Sequence, residues 1–202
     1  MNNIINTNSP SYWDDRYTNK TDEWSLNNPN PVFVQLLEDE KFIPKNNLLI
    51  LGSALGHDSK FAAQKGLKVT GVDFSEYAIA KSRELCQGMD NLPNFLCMDL
   101  FQLKDSKLEF SVIYEYTTIC SFSPNRLEEF LLNVDTVLVK GGLFITVLFP
   151  LNEVSINPPY QVDLQTFNDS AKKYWKLKYY QKSVNSVKPR KNNEVLLIYS
   201  KV

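Results

Sequence analysis

The sequence predicts a doubly wound α/β sheet with helices on both faces, and three observations predict it. Residues 48–51 (Leu-Leu-Ile-Leu) form a short, uniformly apolar run that ends in a turn carrying Gly52 and Gly56. Such runs alternate with helical segments five times along the chain, as parallel strands covered on both faces do. Two more strand-like runs close the chain, giving seven strands in all.

Taken in order, residues 1–10 are rich in asparagine and read as a flexible tail ahead of a single domain at 11–202. Trp13, Tyr17 and Trp24 then punctuate a polar segment; Trp13 and Tyr17 are four apart and share a face on a helix. Pro29 and Pro31 open an amphipathic helix over 32–39 that ends before Pro44, which makes 11–45 an amino-terminal aromatic lid and helix. After the first strand, 58–65 is a crossover helix stopped by Gly66. Strand two is 68–73; Ser75 caps a helix reaching about Gln87, with Ala78, Ile79 and Leu85 toward the sheet. Strand three is 94–98 and ends at Asp99, and strand four is 110–116, with a loop over 117–123 beyond its carboxyl end. Ser123-Pro124 starts a helix with Leu127, Phe130, Leu131, Val134 and Leu138 on one side. Gly141-Gly142 turns the chain into strand five, 143–149. An irregular piece (150–159), a helix (163–172) and strands at 175–183 and 194–201 complete the chain, and a basic loop with Lys188, Pro189, Arg190 and Lys191 joins the last two.

Composition narrows the partners. A chain of 202 residues, 43% hydrophobic, suits one domain with a full core rather than two. With 22 basic against 23 acidic residues there is no electrostatic reason to expect nucleic acid or an anionic membrane, so the partner is a small molecule. The first residues lack a basic start and an apolar core, and no run approaches a membrane span, which predicts a soluble, unexported protein. Cys86, Cys97 and Cys120 form no CxxC pair and fit a reducing cytoplasm; with His57 as the only histidine, no zinc site is expected. A monomer or weak dimer is expected.

Ligands on doubly wound sheets sit beyond the carboxyl ends of the strands. That rule gathers 52–56, Asp73, Asp99, 116–120 and 149–160 on one rim. His57 stands where a dinucleotide-binding glycine pattern needs its last glycine, so a pyrophosphate clamp is incomplete. The turn still lets backbone approach an amino acid group or a ribose, and Asp73 follows at about the 20-residue spacing at which an acid meets ribose hydroxyls. With Asp99 near an adenine amino group, the set points to S-adenosylmethionine. Either acid in isolation reads as a helix cap or turn residue, and the aromatics by their spacing alone read as packing.

Four pieces carry a resemblance: the Trp13, Tyr17, Trp24 spacing; Gly52-x-x-x-Gly56-His57-Asp58; Tyr116-Thr-Thr-Ile-Cys120; and Phe149-Pro150 leading to Pro158-Pro159-Tyr160-Gln161-Val162-Asp163. From about Trp13 to Arg190 the chain resembles the class I S-adenosylmethionine-dependent methyltransferases, with their Rossmann-like seven-stranded sheet. Within them it is similar to the thiopurine methyltransferase family, in its branch of thiol and halide methyltransferases. The resemblance implies that Trp13, Tyr17 and Trp24 fold over S-adenosylmethionine. It also implies that Gly52, Gly56, Asp73, Asp99, Leu100 and Tyr116 bind this cofactor, and that Tyr116, Cys120 and Tyr160 line the acceptor pocket as catalytic residues. The chain departs from the family in having Ala54 and Asn157 where glycine is usual.

The chemistry agrees with these residue types. Methyl transfer needs alignment and exclusion of water, which aromatic walls supply, and Tyr and Trp faces attract a sulfonium by about 0.5–2 kcal/mol each. A thiol acceptor, with an ordinary pKa of about 8.5, needs no strong base. Other readings of single residues stand beside these: Cys120 as a buried small residue, His57 as part of the turn, Arg190 as a solvated loop charge, and Pro158-Pro159 as a spacer fixing Tyr160. The implied function is methylation of a small thiol or sulfide, with thiocyanate or halide as further acceptors. The alternatives are another small nucleophile (nitrogen, oxygen or a metalloid) and a non-catalytic cofactor-binding protein.

Overall fold

The computed structural model describes residues 6–39, 47–152, 154–182, 184–188 and 190–202. Helices α1 (Pro10–Thr18) and α2 (Pro31–Glu38) precede the sheet. The core elements follow as β1 (Asn47–Leu51), α3 (His57–Gln64), β2 (Lys68–Asp73), α4 (Glu76–Leu85), β3 (Asn94–Cys97) and β4 (Phe110–Tyr116). The chain is completed by α5 (Leu127–Val137), β5 (Leu138–Leu148), α6 (Leu164–Ala171), β6 (Trp175–Gln181) and β7 (Val195–Lys201). The seven strands lie in the order β3-β2-β1-β4-β5-β7-β6, parallel from β3 to β5, with β7 antiparallel to both neighbours. Among the described residues no helix is long and apolar enough to cross a membrane.

The uniform apolarity of β1 has its reason in this placement. Successive side chains point to opposite faces, and both faces are covered. Leu49 and Leu51 join the core with Phe130, Phe144 and Trp175, while Leu48 and Ile50 join Phe33, Ala62 and Tyr114. Helices α5 and α6 close the first layer and α2 and α3 the second.

Several predicted boundaries move. Leu138 does not extend the fifth helix; it opens β5, pairing with Phe110, and remains buried. Gly141, at φ +77°, is therefore a bulge within an 11-residue strand rather than a turn before it, and the register resumes at Val112 opposite Leu143. Helix α4 ends at Leu85 instead of Gln87. Leu85 is only half-buried, because the inward positions after Ile79 are Ser82 and Cys86, and Cys86 packs with Ile79 and Phe95. The predicted end of α2 before Pro44, the last residue of the sixth strand (Ser183) and Pro189 lie outside the described residues.

The aromatic segment is docked rather than merely adjacent. Asp14 of α1 accepts hydrogen bonds from the Ser75 hydroxyl and the Tyr77 N–H (3.2 Å) at the start of α4, while Ser75 Oγ accepts from the Ala78 N–H at 3.0 Å. A carboxylate at a helix amino terminus satisfies orphan donors and opposes the helix dipole. Asp14→Ala is expected to cost about 1 kcal/mol in urea unfolding and to speed proteolysis within α1 before the core is cut.

Candidate active site

Beyond the carboxyl ends of β1 to β4 lies a cavity of about 410 Å³, within the range of small-molecule sites. Gly52 has φ +57°, and a Cβ there would stand 2.3 Å from Thr118 Oγ1, so only glycine allows the turn after β1 to approach the loop after β4. Asp73, at the end of β2, braces that turn: Oδ2 accepts from the Ala54 N–H at 2.8 Å and Oδ1 from the Ser75 N–H at 2.9 Å. Burial pushes the Asp73 carboxyl up, against the opposing pull of those N–H groups. Ala54 occupies the left-handed region at φ +48°, which explains physically why a glycine suits this position better.

The lid covers the turn. Trp13 and Trp24 meet edge to face at 5.4 Å, Tyr17 and Trp24 likewise at 5.4 Å, and Trp24 Nε1 donates to the Tyr17 hydroxyl at 3.0 Å. All three line the cavity, as do Gly52, Gly56, Asp73, Asp99, Leu100, Tyr116 and Cys120. Asp99 also caps the short 3₁₀ turn that follows it, accepting from Phe101 N–H at 2.9 Å. Tyr160 is the exception among the residues named from sequence. It is not part of the lining; its N–H donates to the Cys120 carbonyl at 2.8 Å, and Pro158 and Pro159 face the cavity in its place.

At the end of β4, Tyr116 donates to Glu194 Oε1 at 2.7 Å and accepts from Arg190 Nη1 at 2.6 Å, while Arg190 Nη2 donates to the Trp24 carbonyl at 2.7 Å. The guanidinium lies 5.1 Å from the Tyr116 ring and 5.5 Å from the Phe149 ring. Arg190 is 5% exposed, which corrects its reading as a solvated loop charge. Cys120 is buried and its S–H donates to the Thr117 carbonyl at 3.0 Å; burial pushes its thiol well up, so it stays protonated. Burial likewise raises Tyr116, and loss of water lowers His57, which opens α3 as a neutral imidazole at neutral pH.

Sequence reasoning missed Glu115. It is 1% exposed, accepts from the Thr118 N–H (2.7 Å), the Ile119 N–H (3.0 Å) and the Thr146 hydroxyl, and so fixes the loop on which Thr117 is held at φ +60°. The signal was an acid inside an otherwise apolar strand. Asn30, Ser53 and Tyr114 were missed as well; each is buried, lines the cavity, and has a side-chain polar atom without a protein partner.

Glycine turn, paired acids and aromatic cover on this sheet order define a Rossmann-like S-adenosylmethionine-dependent methyltransferase. The solved structure of magnesium protoporphyrin IX methyltransferase from Synechocystis with bound S-adenosylmethionine superposes at TM-score 0.75, covering 100% of each chain at 15% identity. A TehB-like methyltransferase from Corynebacterium glutamicum gives 0.68, over 96% of this chain and 98% of that one, also at 15% identity. The chain belongs to the thiopurine S-methyltransferase family, whose model matches residues 8–200. It is 28% identical over 166 residues to probable thiol methyltransferase 2 of Arabidopsis thaliana (81% of this chain, 73% of that protein). It is 27% identical over 159 residues to thiocyanate methyltransferase 1 of the same plant (78% and 69%). The family's cofactor is S-adenosylmethionine, and the residues present fit it: a glycine cradle for backbone approach, acids at adjacent strand ends, and buried polar atoms awaiting partners.

Two outcomes follow. Ala54→Gly is expected to raise the unfolding free energy by about 1 kcal/mol, read from urea melts; no gain would contradict left-handed strain at this turn. Burial pushes the Glu115 carboxyl from 4.5 up to about 7. The fold then binds more protons than the unfolded chain between about 4.5 and 7, so this group makes stability fall as pH rises through that window. In Glu115→Gln that component is gone, and the variant gains on the wild type by at most about 1.4 kcal/mol per pH unit across the window. A variant-minus-wild-type difference that stays flat from pH 4.5 to 7 would show that Glu115 is ionised throughout.

Proposed function

We propose that this methyltransferase acts on a small thiol or on hydrosulfide, with thiocyanate and halide as weaker acceptors. The observation that carries the reading is Arg190, a buried cation on the cavity wall against the Tyr116 and Phe149 rings. It suits an acceptor that arrives as an anion. The names of the two plant relatives, a thiol and a thiocyanate methyltransferase, support the same class.

In this reading Gly52, Gly56, Asp73, Asp99 and Leu100 hold the cofactor, with Asp73 serving the ribose hydroxyls, while Trp13, Tyr17 and Trp24 exclude water above it. When bound, S-adenosylmethionine supplies an activated methyl group on a cationic sulfonium. Tyr116, fixed between Arg190 and Glu194, walls the acceptor pocket and holds Arg190 in place, and Arg190 stabilises the anionic form of the acceptor sulfur. With the ordinary thiol pKa near 8.5, a local cation suffices and no side-chain base is required. Cys120 shapes the pocket as a neutral filler. Tyr160 acts through its backbone, holding the loop after β4 for catalysis instead of contacting the acceptor. The single domain, a cytoplasmic setting consistent with three unpaired cysteines, and a monomeric or weakly dimeric state complete the proposal.

An acceptor screen with labelled cofactor tests the reading. Transfer to hydrosulfide, methanethiol or thiophenol is expected; turnover of an amine or hydroxyl acceptor with none of these would sink it. Arg190→Gln should lower kcat/KM for anionic acceptors by roughly 10-fold to 100-fold, about 1.4–2.7 kcal/mol, and by more than it weakens binding of S-adenosylhomocysteine. Asp73→Ala should weaken that affinity at least about 10-fold by calorimetry, and unchanged binding would refute the ribose assignment.

A further inference from the structure

Helices α2 and α3 start side by side, and the polar groups at their first turns are unusually incomplete. Asn30 caps α2 through Oδ1, which accepts from the Val32 N–H at 2.7 Å, and its backbone N–H donates to Asp58 Oδ1 at 2.7 Å. Its Nδ2, on a residue 2% exposed, has no protein partner. Among the described residues Asp58 has no cation paired with it. Tyr114, on β4, is fully buried with its hydroxyl unpartnered; Phe33 of α2 stacks on it at 4.3 Å, and the charge of Asp58 bears on the phenol. Asp58, Asn30 and Tyr114 all line the one cavity, beside Gly52 and Gly56.

A half-buried carboxylate without a cation, a buried phenol oxygen without a donor and a buried amide N–H without an acceptor are each costly in isolation. Together they complement one chemical group, an α-amino acid, whose ammonium and carboxylate are borne on a single carbon. We propose that Asp58 and Tyr114 seat the α-ammonium of the cofactor's methionine moiety, and that Asn30 Nδ2 donates to its α-carboxylate. This rests on the cofactor reading above and adds to it a second acid with a task distinct from that of Asp73. Loss of water pushes the Asp58 carboxyl up to about 7, the behaviour of an acid whose ionised form lacks a counter-charge until a cation arrives. It also explains why the lid-proximal helix α2 is tied by its cap residue to Asp58: the tie holds the acid and the amide N–H on the same side of the pocket.

The test is calorimetric binding of S-adenosylhomocysteine and of the same molecule lacking its α-amino group. Wild type should bind the intact ligand at least 10-fold tighter. Asp58→Asn should lose that advantage, binding the intact ligand at least 10-fold more weakly and the deaminated one unchanged. Equal loss on both ligands, or equal wild-type affinity for both, would overturn the ammonium seat while leaving the cofactor reading intact; wild type binding neither would overturn the cofactor reading itself. Tyr114→Phe supplies a second readout with opposite signs. Without ligand its melting temperature should hold or rise, because a buried unpartnered hydroxyl is removed, whereas affinity for the intact ligand should fall 3-fold or more. A variant that loses thermal stability and keeps its affinity would mark Tyr114 as packing alone.

Discussion

The site depends on the two hydrogen bonds that Asp73 accepts. One carboxylate oxygen holds the Ala54 N–H of the glycine turn and the other the Ser75 N–H that begins the cap of α4. Through Ser75 the same chain of bonds reaches Asp14 and hence the aromatic helix α1. One side chain therefore couples the backbone of the cofactor turn, the start of the second crossover helix and the docking of the lid. Its cost is desolvation, which raises the carboxyl's pKa; its return is geometric, since the turn after β1, the start of α4 and helix α1 are set relative to a single group.

Strand β4 repeats the device. Glu115 holds the N–H groups of Thr118 and Ile119 and so presents Thr118 to Gly52, where the hydroxyl also donates to the Leu51 carbonyl at 3.1 Å. Both acids stand at the carboxyl end of a parallel strand, where loop backbone needs acceptors and sheet pairing no longer supplies them. Each is placed where the chain turns away from the sheet. The turn after β1 and the loop after β4 meet closely because Gly52 has no side chain to keep them apart.

The cavity wall carries charge of both signs. Asp58, Asp73 and Asp99 line it together with Arg190, which is held against Tyr116 and Phe149, while Glu194 accepts from the Tyr116 hydroxyl. Fixed charges of both signs suit a cationic cofactor and an electron-rich acceptor that must meet there. Arg190 also ties the lid to the end of β4, since one of its nitrogens holds the Trp24 carbonyl and another the Tyr116 hydroxyl.

What the sequence determined by itself is local. Apolar runs such as 48–51 had to be buried on both faces, glycine at 52 and 56 had to mark a close approach, and Trp13 and Tyr17 four apart had to share a helix face. These follow from periodicity and from backbone sterics, which are properties of neighbouring residues. Spacing along the strand ends also singled out Asp73 and Asp99, and the family resemblance supplied the lid. Only tertiary structure decided which partners those residues meet. Arg190 reads as an ordinary loop cation until β7 brings it against Tyr116, 74 residues away in sequence. Tyr160 reads as a pocket residue until the lining is found to pass through Pro158 and Pro159 instead. Asp58 and Tyr114 reveal nothing until α3 and β4 bring to one wall an acid without a paired cation and a phenol without a partner. Burial, and with it the sign of every shift in acidity at this site, is a property of distant segments brought together, and for that reason spacing along the chain could not foretell it.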